Sequence, residues 1–447
     1  MMQSEIKTYT YPNGDIQRVQ VVRWDDWRKL DFLGMSYGEG ALECFANVYR
    51  NFLVPAAPML FGNMIMFHIP SDLQVDFPLD TGKYGTVADR LIAASVALQE
   101  GVTVRGGKPV FKNEKIKAFW QALEQRNSVQ IISGQLTTTI VIPIGDFPGY
   151  LAKIEPEAKM KVNASFFIMD RFDCATIYDQ VGTPFGLCVK DGVVTNPPLY
   201  HREALLVDKA GKVTVKPLDV TELEIEINGQ VFIPGKNATI YNRPSRLQTH
   251  GEKNKKYVII GTKVVAVCEG KTAIPGPGFV LCPKEACEIS AGDTVTYHGL
   301  EDVQFGIQVG NSIVVDGKKT ESFQSKFYNI KALEPVPYPP SLYPMDFAKA
   351  RAARIALGAD RDGKPMLLWA EGAAKFGYVP GKGSCGASLT EMAEICTDVG
   401  MVNAVNLDGG GSAQILLNNQ RSLEISDRNR EDHSEAERPV PLGLIIR

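Results

Sequence analysis

A carboxylate followed by three glycines and a hydroxyl is the feature of this 447-residue chain with the clearest chemical potential. This glycine segment consists of Asp408, Gly409, Gly410, Gly411 and Ser412. Glycine loses more backbone entropy on ordering than any other residue, so three in a row indicate positive φ angles or a close approach to N–H groups. Successive N–H groups in such a turn can bind an anion. The segment predicts a site that holds or cleaves a phosphorylated substrate, and a tight glycine turn with a capping Asp is the alternative.

Composition and charge exclude several functional classes. A hydrophobic content of 44% with 22% charged residues is ordinary for a globular protein. The net charge of -3 gives no broad attraction to nucleic acid or to an anionic membrane, so we expect neither as a partner. Residues 1–7 lack the pattern of a secretory signal, which predicts a cytoplasmic protein. Association with a virion, or release by lysis, is the alternative location.

The cysteines and histidines do not predict a cofactor or a structural metal. The chain has eight cysteines and five histidines, and their spacing matches no metal-ligand pattern. Only Cys282 and Cys287 lie close together, and no histidine nearby completes a zinc pattern. We therefore expect no cofactor. A divalent metal is not excluded, and a metal-dependent phosphodiesterase with Asp408 as a ligand is one alternative function.

The elements that position the glycine segment are predicted to be mainly strands. From about Lys159 onward, short β-rich runs are separated by two-residue turns whose residues suit the positive φ angles of β-hairpins. These turns are Asp191-Gly192, Asn228-Gly229, Asp316-Gly317 and Asp362-Gly363. The pattern predicts a largely antiparallel or mixed β-sheet core.

Helices are predicted in two parts of the chain. Ser388 and Glu391 have the spacing of a capping box, and Gly400 stands where the helix should end, just before the strand that leads to Asp408. We therefore interpret Glu391 as a cap. Residues 86–100 and 113–125 also have helical patterns. The prediction is an α+β fold with helices packed on the sheet core, divided into a helix-richer N-terminal region (1–130) and a second domain (131–447).

Several stretches besides the glycine segment occur in an order that resembles the phosphodiester glycosidase family. They are residues 162–167, 354–358, 388–393 and 437–440. The resemblance extends from about Ile140 to Arg447 and implies hydrolysis of the glycosidic C–O bond in a sugar-1-phosphodiester. The implied partner is a small molecule or glycan that carries this linkage. The sequence departs from the family pattern at Ala164, Ser165 and Ala413, and the last of these changes removes a hydroxyl group.

The resemblance also implies roles for individual residues. Asp408 is predicted to be the central carboxylate, and Glu371, where the family has an acidic residue, is a candidate for the second. Because Asp408 would repel a phosphate, donors are needed to hold the anion, and Arg354 and the glycine segment can supply them.

Two further residues complete the predicted binding set. Asn163 is predicted to contact a sugar hydroxyl or a phosphate oxygen, or alternatively to cap a turn. Arg438 is predicted to contact phosphate, or alternatively to anchor the last strand. For Arg354 the alternative is a surface ion pair. The alternative for the whole chain is a non-catalytic module that binds glycans or phosphate in a phage or cell-surface assembly.

Overall fold

The computed structural model describes residues 2–34, 42, 45–46, 62–70, 73, 87–133, 139–145, 149–169, 174, 176–199, 202–243, 247–321, 323, 348–374, 377–429 and 431–447. Within these residues the chain forms 28 strands and three α-helices. The strands are β1 (Gln3–Thr10), β2 (Ile16–Arg23), β3 (Asp31–Gly34), β4 (Met64–Phe67), β5 (Val102–Arg105), β6 (Lys108–Phe111), β7 (Val129–Ile132), β8 (Ile140–Pro143), β9 (Met160–Asn163), β10 (Cys188–Lys190), β11 (Val193–Asn196), β12 (Arg202–Asp208), β13 (Val213–Leu218), β14 (Glu224–Ile227), β15 (Gln230–Phe232), β16 (Ala238–Asn242), β17 (Lys256–Ile260), β18 (Lys263–Cys268), β19 (Gly278–Pro283), β20 (Val295–His298), β21 (Val303–Ile307), β22 (Ser312–Val315), β23 (Lys318–Lys319), β24 (Arg354–Ala359), β25 (Pro365–Ala370), β26 (Asn403–Asn406), β27 (Ile415–Leu417) and β28 (Leu442–Ile446). The helices are α1 (Val87–Gly101), α2 (Glu114–Gln125) and α3 (Leu389–Asp398). None of the described helices is long and apolar enough to cross a membrane.

The predicted α+β class is wrong, because the described chain is mostly β. Two of the three helices, α1 and α2, lie within residues 87–125, and α3 is the only described α-helix in the range 131–447. The prediction gave too much weight to a few clear helix signals. The short alternating strands bury their apolar faces mainly against other sheets, which removes the need for a layer of helices.

The strands form seven sheets. Their orders are β1-β2-β25-β24-β26-β22-β23, β11-β10-β21-β12-β13, β15-β14-β20, β16-β19-β17-β18, β27-β9-β28-β3, β7-β4-β8 and β5-β6. Among the described pairs, only β4 with β8 is parallel. The antiparallel arrangement brings the end of one strand beside the start of its neighbour, so residues distant in the sequence meet at the edges of the sheets.

The central strands of the seven-stranded sheet are buried on both faces. Ile355 and Leu357 of β24 belong to the main core together with Phe305 of the five-stranded sheet. Ala356, between them, faces the opposite side and belongs to a second core with Met392 of α3. Successive strand residues point to opposite faces, so both layers hold β24 in place. This strand is a rigid support for the residues at its start.

The predicted hairpin turns are confirmed. The four dipeptides connect β10 to β11, β14 to β15, β22 to β23 and β24 to β25. In three of them both residues have positive φ, for example 50° at Asp191 and 82° at Gly192. Such angles match the twist of a hairpin, and they explain the Asp-Gly and Asn-Gly pairs at these positions.

The predicted helix before the glycine segment is also confirmed. The Ser388 hydroxyl accepts from the Glu391 N–H at 3.2 Å, and the Glu391 carboxylate accepts from the Ser388 N–H at 2.8 Å. The capping box therefore closes the start of α3, which ends at Asp398 shortly before Gly400. Strand β26 follows and leads directly to Asp408.

Strands from the first 34 residues join sheets of the C-terminal half. Strand β2 pairs with β25, and β3 pairs with β28. The helices α1 and α2 instead share a separate core with the sheet β7-β4-β8. The division at residue 130 stays a prediction, but hydrogen-bonded sheets extend across it.

Candidate active site

The ends of three adjacent strands, β25, β24 and β26, meet on the same side of the seven-stranded sheet, which we call its edge. Strand β24 starts at Arg354, which pairs with Ala370, the last residue of β25. Ala356 pairs with Asn406, where β26 ends, and Asp408 follows two residues later. The antiparallel register thus collects Arg354, Glu371 and Asp408 at the same edge, although 54 positions separate the first from the last.

Asn163 holds the glycine segment from a second sheet. Its Nδ2 donates to the Asp408 carbonyl at 2.7 Å, and its Oδ1 accepts from the Gln414 N–H at 3.0 Å. The Asp408 N–H donates to the Ala164 carbonyl at 2.9 Å. The side chain of Asn163 is 1% exposed. These contacts favour a positioning role over the predicted contact with substrate.

Each of the three glycines has its own structural reason. A Cβ at Gly409 would lie 2.6 Å from the Ala353 carbonyl oxygen. Gly410 has a φ of 58°, in the left-handed region that favours glycine. A Cβ at Gly411 would overlap Asp427 and Arg438. Close packing on two sides and one unusual backbone angle therefore explain the run.

The predicted anion-binding turn is only partly available. The Gly410 N–H donates to the Ala353 carbonyl at 2.8 Å, and the Gly409 N–H donates to the Asp408 Oδ1 at 2.9 Å. The Ser412 N–H donates to the Gly409 carbonyl at 3.2 Å. These three donors are occupied within the protein, so the main chain at these positions fixes the Asp408 carboxylate rather than presenting a row of free N–H groups.

An ion pair between Asp427 and Arg438 packs against Gly411. The Arg438 Nη2 lies 2.7 Å from the Asp427 Oδ2, and its Nε donates to the same oxygen at 2.9 Å. Both side chains are largely buried. The sequence analysis found Arg438 but missed Asp427. It stands among other charged residues between β27 and β28, and no local signal separates it from acids on the surface.

The protein environment shifts the pKa of the Asp408 carboxyl group towards neutral pH. Loss of hydration in the surrounding protein raises its pKa from 3.8 to about 6. The Ser412 hydroxyl, the charge of Arg438, the Gly409 N–H and the charge of Arg354 oppose this rise. The Ser412 hydroxyl is buried and has no hydrogen bond of good geometry within the described residues, so it keeps capacity to bind a ligand.

Arg354 is buried rather than part of a surface ion pair. Its Nε donates to the Ala387 carbonyl at 3.0 Å, and its Nη2 donates to the Ala350 carbonyl at 2.9 Å. The positive charge still lowers the pKa of Asp408. Arg354 therefore contributes its charge to the site, while two of its donors hold the chain that precedes and faces β24.

Glu371 is saturated with hydrogen-bond donors. Arg18 from β2 donates with Nε to Oε2 at 2.6 Å and with Nη2 to Oε1 at 2.7 Å. The Ser384 hydroxyl donates to Oε2, and the Glu424 N–H donates to Oε1 at 2.8 Å. Glu371 is 2% exposed. Four donors on a buried carboxylate favour a positioning role over proton transfer or nucleophilic attack, and the catalytic role of Glu371 stays a prediction.

Other buried polar groups lie next to the glycine segment. Asn406 precedes it, Gln414 follows it, and Ser165 follows the residue whose carbonyl binds the Asp408 N–H. The Ser165 Oγ, the Asn406 Oδ1 and both polar atoms of the Gln414 side chain are buried without a hydrogen-bond partner among the described residues. Buried polar groups normally have partners, so each of these side chains keeps hydrogen-bonding capacity. The sequence analysis did not identify these three residues as binding groups.

No set of three or more His, Cys, Asp or Glu side chains within the described residues is arranged to hold a metal ion.

Comparison with known protein families gives a match. A model of the phosphodiester glycosidase family matches residues 221–447. These residues include every predicted site residue except Asn163, and they include Asp427. The match covers slightly more than half of the chain.

Curated relatives match a shorter stretch. The N-acetylglucosamine-1-phosphodiester alpha-N-acetylglucosaminidases of Mus musculus and Homo sapiens are each 36% identical over 100 residues. This stretch is 22% of the present chain and 18% of each relative. The match therefore spans less than one fifth of the relatives' length.

Solved structures resemble the chain more distantly. A hypothetical protein from Synechocystis has a TM-score of 0.43 and 15% identity, and the alignment covers 100% of this chain and 62% of that one. The catalytic domain of the zebrafish N-acetylglucosamine-1-phosphodiester alpha-N-acetylglucosaminidase, auto-inhibited by its pro-peptide, has a TM-score of 0.39 and 12% identity over 100% and 82% of the two chains.

Proposed function

The chain belongs to the phosphodiester glycosidase family, and from this premise we propose that it hydrolyses the glycosidic C–O bond of a sugar-1-phosphodiester. The single observation that carries the proposal is the Asp408 carboxylate, which follows the end of β26, has a pKa of about 6 and is influenced by the charges of Arg354 and Arg438. A glycosyl phosphodiester or a nucleotide sugar is the substrate class that fits this charge arrangement.

The phosphate leaving group needs little acid catalysis from the protein. Cleavage of the bond between C1 and oxygen places the oxygen of a water molecule on C1 and releases a phosphate monoester. The second pKa of such a monoester is about 6, so the departing oxygen needs little protonation. The protein must mainly stabilise positive charge at C1 and direct a nucleophile to it, which carboxylates do in glycosidases. Ionised Asp408 is the group for this task.

The arginines offset the repulsion between Asp408 and a bound phosphate. Two like charges 4 Å apart repel by about 4 kcal/mol at an effective dielectric constant of 20. The charges of Arg354 and Arg438 both lower the pKa of Asp408, which supports an electrostatic role for each in the site. Arg438 shares its charge with Asp427, so we propose that a substrate phosphate competes with Asp427 for the Arg438 guanidinium.

The remaining predicted residues hold this arrangement together. Asn163 fixes the main chain at Asp408, and Glu371 binds Arg18, Ser384 and the Glu424 N–H. The buried Ser412 hydroxyl lies beside the Asp408 carboxylate and lowers its pKa, and we propose that it also contacts the substrate or the attacking water.

The test is turnover by Asp408→Asn on a panel of glycosyl phosphodiesters and nucleotide sugars. We expect kcat to fall roughly a thousandfold or more, because the substitution removes a charge that acts in the transition state. Asp191→Asn, at an exposed hairpin turn that also accepts Asn, is the matched control and should retain full activity. Undiminished turnover by Asp408→Asn would reject the assignment.

The position of bond cleavage separates this proposal from its alternatives. Hydrolysis in ¹⁸O-labelled water should place the label on the released sugar. Label in the phosphate would instead show P–O cleavage by a phosphodiesterase, and loss of activity on chelation would show that a metal is needed. Equilibrium binding of the substrates without any product after long incubation would support a non-catalytic binding module.

A further inference from the structure

A residue far outside the family-matching segment reaches the candidate active site. In the pairing of β2 with β25, Val19 lies opposite Ala370, so the next step of the ladder places Arg18 opposite Glu371. The Glu371 N–H donates to the Arg18 carbonyl at 3.0 Å, which extends the ladder by one residue. The two side chains then form a two-point ion pair at 2.6 and 2.7 Å.

Glu371 also contacts the chain between β27 and β28, so it links Arg18 to that part of the chain. Its Oε1 accepts from both Arg18 and the N–H of Glu424. We call residues 418–441 the β27–β28 connection. Its described part lies outside the strands, so side-chain contacts have a large share in holding it. The bond to Glu371 is one of the contacts that attach this connection to the seven-stranded sheet.

Internal bonds make the connection behave as a unit. The Ile425 N–H donates to Glu435 at 3.2 Å, and the Ala436 N–H donates to the Asp427 carbonyl at 3.0 Å. Asp427 in turn binds Arg438. A displacement at Glu424 therefore changes the position of the guanidinium that we propose to hold the phosphate.

Asp408 is held by a different set of contacts. Its main chain bonds to Asn163 and Ala164, and the Gly410 N–H bonds to Ala353. None of these partners belongs to the connection. Loosening the connection should thus disturb the phosphate-binding side of the site more than the catalytic carboxylate.

We propose that Arg18 is a positioning residue that sets substrate affinity: through Glu371 it fixes the β27–β28 connection and hence Arg438. This inference rests on the proposed function insofar as Arg438 contacts the substrate phosphate. It makes the N-terminal hairpin of β1 and β2 part of the functional unit, although residues 1–34 lie outside the segment that identifies the family.

Steady-state kinetics of Arg18→Ala test the proposal. We expect KM to rise about tenfold and kcat to stay within about threefold, because the anion contacts are weakened while Asp408 keeps its position. A merely structural role would reduce the fraction of folded enzyme, which lowers kcat and leaves KM unchanged, and that outcome would overturn the proposal. The matched control is Arg23→Ala, which removes a β2 arginine paired with Glu5 at the surface.

A second variant, Arg18→Lys, tests the proposal in case Arg18→Ala does not fold. Arg18→Ala leaves the buried Glu371 carboxylate without its counter-ion, and such losses are strongly destabilising. Arg18→Lys keeps the charge but cannot form the planar two-point contact. It should fold and show a smaller rise in KM, and a KM equal to that of the wild type in both variants would contradict the proposal.

Hydrogen exchange separates failure of this inference from failure of the proposed function. The Glu424 amide should exchange at least tenfold faster in Arg18→Ala and Arg18→Lys than in the wild type and in Arg23→Ala. Unchanged exchange in both Arg18 variants would refute the inference whatever the activity. A wild type without turnover on any substrate, combined with faster exchange in the variants, would refute the proposed function and support the link from Arg18 to the connection.

Discussion

The glycine segment and the β27–β28 connection face each other at Gly411 but are held in different ways. The glycine segment is fixed largely by main-chain hydrogen bonds to Ala164 and Ala353 and by the amide of Asn163. The connection depends on charged side chains, including the pairs Asp427 with Arg438 and Arg421 with Glu435. Main-chain bonds in a sheet change little with conditions, whereas ion pairs respond to pH, salt and competing anions. The rigid glycine segment thus carries the Asp408 carboxylate, and the more adjustable β27–β28 connection carries the Arg438 guanidinium.

The largest expected effect on stability concerns the rigid side. Asp408 has a pKa of about 6 in the folded protein against 3.8 for the ordinary carboxyl group. The folded state therefore binds the proton more tightly than the unfolded state. The stability contributed by this group is highest below about pH 4, falls as the pH rises to about 6, and is constant above that. At pH 7 the ionised carboxylate opposes folding.

Asp408→Asn should consequently stabilise the protein at pH 7 while it abolishes activity. A shift from 3.8 to about 6 corresponds to at most about 3 kcal/mol in the free energy of unfolding. Asp408 is partly exposed, which reduces this figure. The gain should disappear at pH 4, where both proteins carry a neutral group. Denaturant unfolding at the two pH values measures it. Equal gains in the free energy of unfolding at the two pH values would show that folding does not raise the pKa of Asp408.

The contact between the two regions can be broken at Gly411. A methyl group there would overlap the paired Asp427 and Arg438 side chains, so Gly411→Ala should displace the connection. We expect a loss of about 1 to 3 kcal/mol in the free energy of unfolding and a rise in KM. Gly377→Ala is the control, since a Cβ there has no heavy atom within 4 Å. Wild-type KM and stability in Gly411→Ala would mean that the two regions do not need their close contact.

The smallest expected effect is on the pH dependence of the reaction. In the proposed reaction Asp408 acts in its ionised form, so kcat/KM of the wild type should rise with pH through about 6. The charge of Arg438 lowers the pKa of Asp408, and Arg438→Gln should therefore move this acid limb to higher pH. A pH profile of kcat/KM for both proteins is the measurement. An unmoved limb would show that the titrating group lies elsewhere.

The sequence predicted those parts of the fold that depend on neighbouring residues. The Asp-Gly and Asn-Gly turns and the capping box of α3 are correct, because their geometry depends on a few consecutive residues. The α+β class is wrong, since the balance between helix and sheet depends on which surface covers each strand. In the site, the need for glycine next to Asp408 was visible, but its physical cause was not: the Ala353 carbonyl and the Asp427 to Arg438 pair lie elsewhere in the chain.

Partners, burial and charge were decided only by the tertiary structure. The sequence predicts a catalytic role for Glu371, and only the structure shows that Arg18, 353 positions away, donates to both of its oxygens. Asp427 resembles any surface acid in the sequence, and only the structure shows that it packs against Gly411 and pairs with Arg438. The sequence determines which functional groups are present, because each side chain is part of the covalent structure. Their pKa values and contacts depend on residual solvent and on neighbours brought together by strand register, which a single sequence does not specify.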